Sequence, residues 1–118
     1  MSNKTVFRYI GNLAKSRAFG IITVATHIEK PKEGSWVVTA GISFCSPKDA
    51  FIKAMGRKIA KTRMDDEVRH HKFLVPAGST CKEISNATYN FIFSIRKEFP
   101  RWTIKLFRAE GFLAYDRT

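Results

Sequence analysis

Apolar positions change their period several times along this chain, and the changes divide it into elements. Thr5 to Ile10 is a strand-length stretch that ends at Gly11-Asn12, a turn pair. Gly20-Ile-Ile-Thr-Val-Ala-Thr-His27 is dense in β-branched residues. Trp36 to Cys45 answers it with Val37, Val38, Ile42 and Phe44. The polar segment between them, Glu29 to Ser35, holds Pro31 and Gly34, so the pair predicts a β-hairpin. Beyond it the period becomes four. Phe51, Met55 and Ile59, joined by Ile52, form one stripe of an amphipathic helix running to about Met64. Ser46-Pro47-Lys48-Asp49 reads as the start of that helix, with proline at the first helical position and Asp49 placed to reach back to the cap. On this reading the apolar stripe lies against the sheet. Asp65-Asp66-Glu67 closes the helix or begins the loop after it: acids at a helix C-terminus oppose its dipole, so either the helix ends early or the acids serve a local pairing role.

Lys72 to Val75 predicts a short strand before Pro76, and Ala77-Gly78 a turn. Thr80-Cys-Lys-Glu83 is a second capping-box pattern. Ile84, Thr88, Phe91, Ile95 and Phe99 follow it at near-helical spacing until Pro100. Tyr89, Phe91, Phe93 and Ile95 also alternate, and the stretch is poor in strong helix formers, so 84–98 is legible as helix or strand. The caps favour helix. Trp102 to Phe107 alternates and predicts a last strand. The elements add up to an α+β fold: a small antiparallel sheet of three to five strands with two helices packed on one face. With 118 residues and neither repeat nor linker composition, residues 1–118 read as one basic domain.

Charge changes the picture more than composition does. Lys and Arg number 21 against 10 Asp and Glu, a net charge of +11. Such an excess opposes compaction and concentrates polyanions at the surface. Its densest expression is the first long helix. Lys53, Arg57 and Lys61 fall at i, i+4 and i+8, with Lys58 alongside and Arg63 near the end, and Asp49 is the lone acid of 47–64. At 1.5 Å rise per residue the three in-line cations stand roughly 6 Å apart on one face. Like charges at that spacing weaken an isolated helix, so a row without interleaved acids points to phosphate contacts. A solvated face of a basic protein is the plainer explanation. Arg101, Trp102, Lys105, Lys4 and Arg8 are flanking candidates, and Trp102 beside Arg101 would suit base stacking.

Other chemistry is sparse. Cys45 and Cys81 form no CxxC pair and match no zinc-finger spacing, so both read as reduced, and Cys45 as a small hydrophobe of a strand. Lys4 and Arg8 interrupt the first apolar stretch, which argues against a signal peptide and for the cytoplasm. No run approaches membrane-spanning length. Gly56, in mid-helix, predicts close packing against the sheet. Asp65, Asp66, Glu67, His70 and His71 are the one carboxylate–histidine concentration. A Mg²⁺-dependent nuclease using Asp65, Asp66 and His70 is a third class behind binding modes, but contiguous residues rarely converge on one ion. No Walker, G-x-S-x-G or dinucleotide motif is present, and no cofactor, metal or catalytic residue is assigned.

Cys45-Ser-Pro-Lys-Asp-Ala-Phe51, continuing to Gly56-Arg57-Lys-Ile59-Ala60-Lys-Thr-Arg63, resembles a segment of small bacteriophage accessory proteins that share S-P-K-D followed by G-R-x-I-A. The resemblance implies a phage factor working in the bacterial host cytoplasm and carries over no catalytic residue. The sequence thus points to a small basic protein that grips nucleic acid, DNA or RNA, non-specifically through a helix. The competing reading is an interaction protein that docks on an acidic host protein and inhibits or redirects it.

Overall fold

The computed structural model describes residues 4–111. Four strands, β1 (Val6–Ile10), β2 (Ile21–Glu29), β3 (Trp36–Cys45) and β4 (His71–Val75), form one antiparallel sheet in the order β1-β2-β3-β4. β2 and β3 are the expected hairpin, in register from Ile21↔Cys45 to Glu29↔Val37. Four helices accompany the sheet: α1 (Ser16–Phe19), α2 (Lys53–Asp65), α3 (Cys81–Ser94) and α4 (Thr103–Ala109). The architecture is α+β with a small antiparallel sheet. Among the described residues no helix is long and apolar enough to cross a membrane.

The helices do not share one face of the sheet. Successive strand residues point to opposite faces. Ala25 packs with Ala60 and Met64 of α2, whereas Ile22, Val24, Ala40 and Ile42 pack with Ile92 and Phe93 of α3 and with Leu106 and Phe107 of α4. The sheet is therefore the middle of three layers, with α2 alone on one side. The long β2–β3 pair is buried on both faces, with Ile22, Val24, Ala40 and Ile42 on one and the small residues Thr23, Ala25, Thr39, Gly41 and Ser43 on the other, so each face takes a helical layer.

The start and the facing of α2 both depart from the sequence reading. Ser46-Pro47-Lys48-Asp49 is a self-contained turn. The Asp49 N–H donates to the Ser46 carbonyl at 3.1 Å, the Lys48 N–H to Ser46 Oγ at 3.2 Å, and Ser46 Oγ to Asp49 Oδ2 at 3.2 Å. The capping groups are spent inside the turn, and α2 begins at Lys53 after Ile52, which makes no side-chain cap. The apolar stripe is not the contact face. A Cβ on Gly41 would overlap the backbone of Ala60 and Met64, so helix and strand nearly touch main chain to main chain. A Cβ on Gly56 would lie 2.9 Å from Thr23 Oγ1, and Ser43 Oγ donates to the Gly56 carbonyl at 3.1 Å. Gly41, Gly56 and Ala60 permit that separation. Ile52, Met55 and Ile59 are turned to the rim and stay 56%, 58% and 39% exposed.

The opposite layer carries the larger core. α3 opens with the expected capping box: the Thr80 N–H donates to Glu83 Oε1 at 2.8 Å, and the Glu83 N–H to Thr80 Oγ1 at 3.2 Å. Residues 81–94 are helix, with Ile84, Thr88 and Ile92 buried along one stripe. Phe73 stacks on Phe91 at 4.6 Å, and Phe93 meets Phe107 edge-on at 5.1 Å. The predicted last strand is helix α4. Its buried residues Thr103, Leu106 and Phe107 recur at i, i+3 and i+4, a spacing hidden beneath the alternation of Trp102, Ile104 and Leu106.

Candidate nucleic-acid interface

Phe7 and Tyr9 of β1 pair with Ala25 and Thr23 of β2, so their side chains rise on the face that α2 covers. The cation row of α2 runs beside them. Lys53 Nζ sits 5.4 Å from the centre of the Tyr9 ring. The Arg57 guanidinium lies 5.2 Å from the Phe7 ring and 5.9 Å from that of Tyr9, and its Nε donates to the Tyr9 hydroxyl at 2.6 Å. Phe51 supports Tyr9 edge-on at 6.4 Å. Two exposed cations are thus seated on a half-buried aromatic floor, attracted by the ring faces without being neutralised. Lys58 is exposed on the same helix. None of Lys53, Arg57 and Lys58 meets a carboxylate among the described residues.

The remaining candidates are placed differently. Lys61 Nζ bonds Asp65 Oδ2 at 2.7 Å, an i, i+4 pair that tempers its charge. Arg63 is half-buried and donates from Nη1 to the Ile42 carbonyl at 2.8 Å, a contact that ties α2 to β3. Arg8 points to the opposite face, donating from Nε to Ser85 Oγ at 2.9 Å and from Nη1 to Thr26 Oγ1 at 2.8 Å. Burial lowers its pKa from the ordinary guanidinium value, with the neighbouring Tyr89 and Cys81 acting against that shift. Trp102 is no free stacking platform. It meets Phe44 edge-on at 6.3 Å and lies over Gly20, where any Cβ would strike its ring. Arg101 is exposed just ahead of α4 and Lys105 on α4 itself, on the far side of the sheet from α2, and Lys4 is exposed just ahead of β1.

The sequence reading missed Phe7 and Tyr9, whose alternation with Arg8 marks a strand without telling which face a helix will cover. It also missed Arg17, which donates from Nη1 to the Lys48 carbonyl at 3.4 Å and brings a cation of α1 to the turn preceding α2. Two acids of the triplet, Asp65 and Asp66, are locally engaged. Asp65 holds Lys61, and Asp66 accepts the Val68 N–H at 2.9 Å and faces Arg69 at 3.8 Å. Among the described residues no three His, Cys, Asp or Glu side chains gather as a metal site. Cys45 is half-buried, and burial, reinforced by Asp49, pushes its thiol pKa up. A cavity of about 630 Å³ lies at the β1–α3 border, with Tyr89, Asn86 and Asn90 of α3 among the residues lining it.

No family model, curated protein or solved structure matches this chain.

Proposed function

We propose that this protein binds nucleic acid without sequence preference, through Lys53 and Arg57 of α2, set beside the Phe7 and Tyr9 rings, and Lys58, exposed on the same helix. The observation that carries the reading is the pairing of an exposed, uncompensated cation row with an aromatic floor. A surface built only for solubility would neutralise such a row with i, i+4 acids, as Lys61 and Asp65 do one turn later. Phosphates would take the place of those acids, and the net charge of +11 would speed encounter with any polyanion. Three phosphate contacts predict a log–log salt slope of about −2.7 on duplex DNA. The resemblance of residues 45–63 to phage accessory proteins fits such a role in a bacterial host.

Fluorescence anisotropy with labelled duplex DNA, single-stranded DNA and RNA tests the proposal. The triple variant Lys53→Glu/Arg57→Glu/Lys58→Glu should lose at least about tenfold in affinity and flatten the salt slope. All three side chains are exposed, so its circular dichroism should match the wild type. Unchanged affinity in the folded variant would remove α2 from the interface. A second reading, docking on an acidic host protein, is favoured by a separate feature: the exposed Ile52, Met55 and Ile59, which phosphate contact leaves unused.

A further inference from the structure

The basic surface does not stop at α2. Residues 96–108 carry Arg96, Lys97, Arg101, Lys105 and Arg108 against one acid, Glu98. Lys97, Arg101 and Arg108 converge on a cavity of about 370 Å³ between the 3₁₀ turn Arg96–Glu98 and α4. No acid among the described residues lines it. Glu98 instead lines a separate cavity with Arg63 and Arg69. Arg96 is engaged internally: its Nη1 donates to the Phe93 carbonyl at 3.0 Å, and its guanidinium lies 4.0 Å from the centre of that ring. Lys97, Arg101, Lys105 and Arg108 are all exposed, and none meets a carboxylate among the described residues.

α4 sets three of these cations in a stripe. The Ile104 N–H donates to the Arg101 carbonyl at 3.2 Å, so the turn into α4 is already coiled at Arg101. Arg101, Lys105 and Arg108 then fall at i, i+4 and i+7, along one side of a helix. Leu106 and Phe107 take the other side and pack into the core beside α3. The two uncompensated rows, Lys53-Arg57-Lys58 and Arg101-Lys105-Arg108, thus lie on opposite sides of a three-layer molecule whose shortest principal extent is 25 Å. Phosphates held on the two rows stand farther apart than the Debye length of about 8 Å at physiological salt, so their mutual repulsion is screened. One duplex cannot occupy both rows, because a persistence length of about 50 nm forbids a turn round so thin a body.

We propose that one molecule of this protein bridges two nucleic-acid duplexes, one held on α2 and the other on the Arg101–Lys105–Arg108 side of α4. The proposal rests on the nucleic-acid reading and adds a second phosphate surface to it. Charge makes a single molecule the bridge: at +11 each, two copies repel one another, whereas each row attracts a polyanion. The rows are unequal. Lys53 and Arg57 sit on aromatic rings, and no ring lies under Arg101, Lys105 or Arg108 among the described cation–ring contacts. α2 is therefore the tighter site and sets the affinity for a lone duplex, while α4 acts once a second duplex is present.

A capture assay reads bridging directly. A biotinylated duplex on streptavidin beads is loaded with protein, washed, and offered a fluorescent duplex at physiological salt, which the wild type should retain. Arg101→Gln/Lys105→Gln/Arg108→Gln removes the charges of exposed side chains and keeps good helix formers, so its circular dichroism should match the wild type. It should capture at least about tenfold less, while anisotropy shows its affinity for a lone duplex within about twofold of the wild type. A wild type that binds one duplex and captures no second overturns bridging and leaves the α2 reading standing. Undiminished capture by the glutamine variant would mean that two copies bridge through α2, and overturns it. Equal loss of capture and of lone-duplex affinity in that variant merges the two rows into one interface, and also overturns it. If anisotropy shows no duplex binding by the wild type, the nucleic-acid reading falls and bridging with it.

Discussion

Two residues of β3 show how closely α2 is set on the sheet. Gly41 is fully covered by the helix backbone, and no side-chain rotation can relieve an added methyl, because the obstacles are main-chain atoms of Ala60 and Met64. Gly41→Ala should cost about 3 kcal/mol by forcing helix and strand apart. In thermal unfolding followed by circular dichroism this corresponds to a fall of about 10 °C or more. Thr39 works in the opposite sense. Its hydroxyl is 2% exposed as a residue and has no hydrogen-bond partner among the described residues. Thr39→Val keeps the shape and removes an unsatisfied buried group, so it should stabilise by about 1 kcal/mol in a urea titration. A loss of stability there would mean that the hydroxyl has a partner in solution.

At the scale of elements, α2 and α3 begin in contrasting ways. α3 has a reciprocal capping box, and α2 follows Ile52 with no side-chain cap. Thr80→Ala should therefore destabilise by about 1 kcal/mol. The pH dependence of the cap has a definite sign. The hydrogen bond from the Thr80 N–H, seconded by the Thr80 side chain, holds the Glu83 carboxyl below its usual pKa. A carboxyl with a lowered folded pKa stabilises above its ordinary value and loses that contribution as the pH falls through the folded one. Wild type should thus exceed Glu83→Gln in melting temperature at neutral pH, and the gap should close in acid. A gap that persists below the usual carboxylate range would show that the difference is not ionic.

The whole molecule carries its charge excess outside a three-layer core. Self-repulsion of +11 is partly screened by salt, so raising ionic strength should increase thermal stability while it weakens nucleic-acid binding. These opposite responses separate the folding and binding roles of the same lysines and arginines. A scan showing both properties falling together with salt would mean that the cations stabilise the fold rather than strain it. On its own face of the sheet α2 presents two borders of different character. Lys53 and Arg57 flank the buried stripe of α2 toward β1, whereas Met55 and Ile59 flank it toward Phe44 of β3.

Local chemistry was legible from the chain alone. Dense β-branched residues and a Pro-Gly loop fixed the β2–β3 hairpin to within a residue or two, the Thr80–Glu83 box fixed the start of α3, and Pro76 bounded β4. Each of these depends on groups a few residues apart. The orientation of α2 was not legible, because period-four hydrophobicity shows that a stripe exists but not how near the sheet can come. Gly41, distant in sequence, admits the helix so closely that Gly56 and Ala60 become the contact face and the bulkier stripe is expelled to the rim. The same approach sets Arg57 on Tyr9 and turns Arg63 to the Ile42 carbonyl, dividing one basic helix into a free row and a structural anchor. Sequence thus determined the elements and their charge. Tertiary packing decided which side chains were left facing water, because that depends on the separation between layers.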